Sequence, residues 1–173
     1  NVWRNEKTGN ARYREFCQAD CDIIGNVNPA QSDAELCNLI ADTLMQCGLR
    51  KDQFKVNISN RKIVQGLINQ LKVTDKNQEL KVIRAIDKLE RVGIKGVEDL
   101  LKKERIDESG AVTKGANLSD TQASEIINFL KIKKLNDLKT NLSNPLTIEG
   151  IKEIEELMEI VSLGDNSDQI QTN

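Results

Sequence analysis

The sequence predicts an α+β fold, mixed in its first 72 residues and helical beyond them. Three observations predict it. Residues 12–24 and 54–58 alternate apolar with polar side chains, the period of a strand. Later segments repeat apolar residues every three or four positions, the period of a helix packed on one face. Cap and stop residues, such as Ser119 with Gln122 and Gly93, stand where those helices should begin and end.

Taken in order, Arg4 ends one strand and Arg12 begins its antiparallel partner. Within 12–24, Arg12, Arg14, Phe16, Gln18, Asp20 and Asp22 share one parity, and Tyr13, Cys17, Ala19, Cys21 and Ile23 share the other. One face can pack, and the other is crowded with charge. Asn26 to Pro29 reads as a turn. Ser32 or Asp33 then caps a helix with a buried stripe of Leu36, Leu39, Ile40, Leu44 and Cys47, closed by Gly48. Phe54, Val56 and Ile58 make a second strand, followed by a helix carrying Ile63, Val64, Leu67, Ile68 and Leu71.

From Val73 the strand pattern disappears. Asp75 with Gln78 resembles a capping box, opening a helix that buries Leu80, Ile83, Ile86 and Leu89 and ends at Gly93. A short helix holds Val97, Leu100 and Leu101, and Asp107–Asn117 reads as a loop or small hairpin. Ser119 with Gln122 opens a helix with Ala123, Ile126, Ile127 and Leu130. Leu135, Leu138 and Leu142 mark another, which Pro145 ends. The last helix carries Ile151, Ile154, Leu157, Met158 and Val161 and stops by Gly164. The expected organisation is a partial core at 1–72, a helical insertion at 73–145, a helix returning to the core at 146–164, and a polar, disordered tail at 165–173.

Bulk properties narrow the function classes. The chain has 173 residues, 38% hydrophobic and 30% charged, and only 3% aromatic, so Leu, Ile and Val must build the core. Its net charge is -2, which leaves a basic surface to local patterning. No apolar run approaches the ~20 residues that span a bilayer, so no membrane partner is expected. Four cysteines, none in a CxxC pair, and no histidine make a structural zinc site unexpected. Reduced thiols and a cytoplasmic location are the expectation. Chemistry would have to run on carboxylates, arginines, or a metal held by them. The opening Val2-Trp3 reads as a start inside a strand, as in an internal piece of a longer chain.

One constellation carries chemistry. If the two strands pair, Arg4, Glu6, Arg12, Arg14, Phe16, Gln18 and Asp22 share a surface. Guanidinium groups are rigid bidentate donors for phosphate oxygens. Phe16 offers a flat apolar face to a nucleobase, with Arg able to stack on its other side. Gln18 and Asp22, further along, suit an amine. On spacing alone a solvated strand pair, with arginines answering Glu6, Glu15 and the aspartates, is equally compatible.

The string Trp3-Arg4-Asn5-Glu6-Lys7, a loop, then Arg12-Tyr13-Arg14-Glu15-Phe16-Cys17-Gln18-Ala19-Asp20-Cys21-Asp22 resembles the second signature motif of class II aminoacyl-tRNA synthetases, in the form found in the histidyl-tRNA synthetase family. Asn57-Ile58-Ser59-Asn60-Arg61-Lys62 resembles that family's Asn-Asn-Arg-Lys segment. The stretch after Val73, with Asp87-Lys88-Leu89 and Thr113-Lys114-Gly115, is similar to its insertion domain.

The resemblance implies a class II antiparallel-sheet core and the ATP-dependent activation of histidine for transfer to tRNA(His). It implies that Arg4 is catalytic and holds the α-phosphate of ATP, with Mg²⁺ as the companion ion. Glu6 would contact adenine or the tRNA end, Arg12 the γ-phosphate, and Phe16 would stack under adenine. Gln18 and Asp22 would bind the substrate amine, Asp22 standing where Glu is frequent in the family. Thr8 and Ala11 replace the loop's usual Pro and Gly. The insertion would lie against the tRNA acceptor arm, and the full-length enzyme would be a homodimer. The family's Arg-Gly-Leu specificity loop with paired tyrosines and its glycine-rich third motif do not occur in these residues, so they are expected not to form aminoacyl-adenylate alone. Two alternatives stay open. One is a regulatory subunit of ATP phosphoribosyltransferase. The other is a helical RNA- or protein-binding module using Lys102, Lys103, Arg105, Lys131, Lys133 and Lys134.

Overall fold

A computed structural model describes residues 1–102, 104–106, 112–132 and 134–172. The residues 107–111 of the expected loop, Lys103 and Lys133 lie outside them. The chain runs β1 (Val2–Trp3), β2 (Glu15–Phe16), α1 (Pro29–Gln46), β3 (Val56–Ile58), α2 (Arg61–Gln70), α3 (Lys76–Ile86) and α4 (Leu89–Lys102). The hairpin strands β4 (Glu104–Ile106) and β5 (Val112–Lys114) follow, then α5 (Asp120–Leu130), α6 (Leu135–Asn141), α7 (Pro145–Val161) and β6 (Ile170–Thr172). The fold is α+β.

Local chemistry sets most helix ends. Asn28, not Ser32 or Asp33, caps α1, because Pro29 fits the first helical position, where no backbone N–H is needed. Gly48 takes φ 95 beyond the end of α1, a conformation glycine adopts without Cβ strain. Asp75 caps α3 through the Asn77 amide, but Gln78 does not close a box. Its side-chain amide instead donates to the carbonyls of Ala116 and Asn117, tying α3 to the segment after β5. Ser119 and Gln122 form the reciprocal box expected for α5, and the Gln122 amide also donates to the Leu71 carbonyl at 2.9 Å. Gly93, at φ 66 and ψ 176, breaks α4 one turn after its start.

Three expectations change. Residues 12–24 form a strand only at Glu15–Phe16. Their alternation reads which way side chains face, but a strand also needs a ladder partner, and β1 supplies one for two residues. The all-helical reading of the stretch after Val73 gives way to the small hairpin that was its alternative at Asp107–Asn117: β4 and β5 pair antiparallel, Arg105 opposite Thr113, with β4 starting before that span. The tail is ordered through Thr172: Ile170 is buried, and β6 pairs parallel with β3, Val56 opposite Ile170. Buried Asn166, just before it, donates to Asp42 of α1 at 2.8 Å.

Two apolar clusters result. The larger joins α2, α3, α4, α5 and the first half of α7 around Leu67, Ile68, Val82, Val97, Leu101, Ile126 and Ile151. The smaller joins Ala34 of α1, Leu157 and Val161 of α7, and Ile170. Stripe assignments shift accordingly. In α3, Val82 and Ala85 are buried while Leu80 is 44% exposed. In α1, Ala34 and Ala41 face α7, while Leu39 and Ile40 point outward at 43% and 49% exposure.

Helix α7 serves both clusters, and close approach to α2 seats it. A Cβ on Gly66 would overlap Thr147 Oγ1 and lie 2.7 Å from the Thr147 backbone nitrogen. One on Gly150 would lie 2.9 Å from Lys62 Cβ. The buried Thr147 hydroxyl donates to the Ile63 carbonyl at 3.4 Å. The Asn-Arg-Lys segment reinforces the contact. Asn60 caps α2 through the Lys62 amide and donates to Glu153 at 2.7 Å, and Lys62 Nζ reaches Glu149 at 2.7 Å and Glu153 at 2.5 Å. The hydrogen bonds from Lys62 and then Asn60 hold the Glu153 carboxyl below its ordinary range. Gly66→Ala, though it raises helix propensity, is expected to lower unfolding stability by about 1–3 kcal/mol through overpacking, measured by urea denaturation. Equal or higher stability would contradict the close-packed reading of this crossing.

Candidate nucleotide-binding site

The β1–β2 register decides which side chains share a face. Val2 lies opposite Phe16 and Trp3 opposite Glu15, and the Arg4 amide donates to the Arg14 carbonyl at 2.8 Å, carrying the pairing one residue further. Because the side-chain period is two, Val2, Arg4, Arg14 and Phe16 lie on one side and Trp3 and Glu15 on the other. The first side is the charged one.

On that side the groups interlock. The Arg4 guanidinium carbon sits 5.4 Å from the centroid of the Phe16 ring, within cation–π range. Arg4 Nη2 also donates to Gln18 Oε1 at 3.4 Å. The Gln18 amide nitrogen donates to Asp20, which sets the orientation of the Gln18 side chain. Arg12 presents both Nε, at 2.8 Å, and Nη2, at 2.5 Å, to one oxygen of Glu6. Arg14 Nε donates to the Glu6 backbone carbonyl at 3.3 Å. The structure thus brings Arg4, Phe16 and Gln18 together, and joins Glu6, Arg12 and Arg14 beside them. It does not bring Asp22 in, which forms no hydrogen bond or salt bridge with Arg4, Arg14 or Gln18. Asp20 is the orienting residue that sequence reasoning passed over. Its signal was its place two residues after Gln18 with the same parity.

These pairings are exposed. The Arg12 and Glu6 side chains keep 65% and 40% of their surface, so the ion pair is worth at most about 1 kcal/mol and yields readily to a more highly charged ligand. The arrangement offers fixed guanidinium forks for phosphate oxygens, an aromatic face, and an oriented carboxamide in one row.

Gly9 and Arg12 exchange both backbone hydrogen bonds at 3.1 Å, leaving Asn10 and Ala11 as a two-residue turn. Ala11 adopts φ 56, a left-handed conformation that costs an L-residue with a Cβ about 1–2 kcal/mol and glycine little. A shallow cavity of about 260 Å³ lies between residues 21–23 and α1, lined by Cys21, Ile23, Glu35, Leu36, Leu39 and Asp42, among others. All four cysteines are unpaired, and burial, then the Asp33 charge, pushes the Cys37 thiol up.

A family model for histidyl-tRNA synthetase matches residues 1–114. The chain belongs to the histidyl-tRNA synthetase family. It is 70% identical to a histidine–tRNA ligase of Pelagibacter ubique over all of this chain and 37% of that protein. It is 37% identical to a histidine–tRNA ligase of Ruegeria pomeroyi, over 94% of this chain and 34% of that one. With a histidine–tRNA ligase of Rhodopseudomonas palustris it shares 41% identity over 79% of this chain and 27% of the relative. The chain therefore spans about a third of the length of the curated relatives it matches. No solved structure matches it. Ala11→Gly should relieve the left-handed strain and slow amide hydrogen exchange at Gly9 and Arg12 by roughly fivefold, as about 1 kcal/mol of added turn stability requires. Unchanged or faster exchange would argue that the turn does not hold Ala11 in this conformation.

Proposed function

We propose that this chain supplies part of the ATP and amino-acid site of a histidine–tRNA ligase, together with an insertion that approaches tRNA. The observation that carries this reading is the single row of Arg4, Phe16 and Gln18, with Glu6, Arg12 and Arg14 beside it. In this reading Arg4 grips the α-phosphate of ATP and is the catalytic residue. Adenine stacks on Phe16, with Arg4 as its cationic neighbour. Arg12 moves from Glu6 to the γ-phosphate, and Glu6 is released toward adenine or the tRNA end. Gln18, oriented by Asp20, accepts a hydrogen bond from the substrate amine, and Asp22 joins it when residues 17–24 complete the strand.

The chemistry follows from those placements. The histidine carboxylate attacks the α-phosphorus in line, the bond to pyrophosphate breaks, and the adenylate then passes its acyl group to the tRNA ribose. Positioning and cationic stabilisation of the phosphoryl transition state carry the first step. Among the described residues, no three carboxylates or thiols converge on a metal site. Mg²⁺ fits here as an ion carried by the triphosphate, neutralising charge that Arg4 and Arg12 do not reach.

We further assign residues 1–72 to the catalytic core, 73–145 to the insertion, 146–164 to a helix returning to the core, and 165–173 to a polar tail, of which Ile170–Thr172 pairs with β3. Support comes from the smaller apolar cluster, which joins α1, α7 and β6. A homodimer acting in the cytoplasm belongs to the same reading. No helix among the described residues is long and apolar enough to cross a membrane.

A chimera tests the proposal. This segment would replace the matching 37% of the Pelagibacter ubique ligase. The chimera should catalyse histidine-dependent ATP–pyrophosphate exchange, and Arg4→Ala within it should slow exchange about 10²–10³-fold. Trp3→Ala, on the opposite strand face, should leave the rate within a few-fold. An inactive but folded chimera, or equal rates with and without Arg4, would contradict the reading.

A further inference from the structure

Gln18 stands beyond the end of β2, outside the β1–β2 ladder, and it is exposed. Neither strand pairing nor core packing therefore fixes its side chain. Two side-chain contacts do. Arg4 Nη2 donates to Gln18 Oε1 at 3.4 Å, and Gln18 Nε2 donates to a carboxylate oxygen of Asp20. The two partners are chemical opposites. A guanidinium only donates and an ionised carboxylate only accepts, whereas a carboxamide has one end of each kind. Turning the Gln18 amide over would set its NH₂ against Arg4 and its carbonyl oxygen against Asp20, and both contacts would be lost. Arg4 and Asp20 thus select a single orientation of the amide. Asp20 forms no salt bridge with a described residue.

The selected orientation has a chemical consequence. A carboxamide oxygen has two lone pairs, and Arg4 occupies one of those on Gln18 Oε1. The other can accept from an ammonium group, which is a pure donor and finds no acceptor at the NH₂ end. We propose that Asp20 is a positioning residue for amino-acid activation, an inference that rests on the ligase reading above. By accepting the Gln18 N–H, it keeps Oε1 turned toward Arg4. That oxygen then receives the substrate amine beside the guanidinium that grips the α-phosphate. Amine and carboxylate share one carbon in an amino acid, so an amine held there keeps the attacking carboxylate near the α-phosphorus. What Asp20 supplies is an acceptor atom rather than a charge. Asparagine should therefore serve in its place, and leucine, of similar size but with no acceptor, should not.

The test measures histidine-dependent ATP–pyrophosphate exchange by the chimera and its Asp20 variants. Asp20→Leu should raise the KM for histidine about tenfold and leave the KM for ATP within about twofold. Asp20→Asn should keep both within about threefold. Imidazolepropionate, which is histidine without its amine, should inhibit all three proteins equally, because Gln18 has no amine to receive. A second readout needs no activity. In ¹H–¹⁵N spectra of the 173-residue chain, the two side-chain amide protons of Gln18 should be more widely separated in the parent and Asp20→Asn than in Asp20→Leu. An unchanged histidine KM in Asp20→Leu, or an equal rise in the KM for ATP, would overturn the proposal. So would Asp20→Asn losing as much as Asp20→Leu, which would make the charge the active feature. The same amide separation in all three chains would overturn it even if the chimera were inactive. Exchange that depends on Arg4 but not on Asp20 would contradict this inference alone, whereas exchange indifferent to Arg4 would contradict the ligase reading.

Discussion

The crossing of α2 and α7 depends on two residues that have no side chain. Gly66 and Gly150 let the helix backbones approach until Thr147 and Ile63 fill the gap, and the buried Thr147 hydroxyl finds its acceptor in the Ile63 carbonyl. Everything C-terminal of that crossing is positioned by it. The second half of α7 lies along α1, where Ala34 and Ala41 again allow close packing, and the chain then returns to pair β6 with β3. Asn60, Lys62 and Glu153 add polar contacts at the rim. Those exposed pairs fix orientation more than they contribute stability, since exposed ion pairs are worth little.

The candidate site is held differently. Its side chains lie on a two-residue strand pair and an adjoining loop, not in the core, and their mutual pairings are solvent-exposed. That suits groups that must exchange protein partners for a charged ligand, because the pairings such a ligand displaces are weak. The strain at Ala11 falls in the turn between the two arginine-bearing segments, where it bears on the spacing of Glu6 and Arg12.

How far sequence alone reached depends on what each signal encodes. The α5 capping box and the apolar spacing of α2 were legible because cap chemistry and helical period are local. The α1 stripe was misread because that helix has two apolar faces. Periodicity cannot say that the alanine face, not Leu39 and Ile40, meets α7. The β6 strand was illegible because a single buried Ile170 among polar residues makes no pattern, and its order comes from a distant partner, β3. In the site, parity placed Arg4, Arg14 and Phe16 on one face. Asp22 escaped that logic because the ladder stops at Phe16, after which parity no longer dictates direction.

The central claim is that the two paired segments turn Arg4, Phe16 and Gln18 toward one ligand. A crystal structure of the Pelagibacter-based chimera grown with ATP and histidine measures it most directly. The account predicts adenine against the Phe16 ring, the α-phosphate within hydrogen-bond distance of the Arg4 guanidinium, and the histidine amine at Gln18. Nucleotide density on the Trp3 face of the strand pair, or phosphates held by residues other than Arg4 and Arg12, would contradict it.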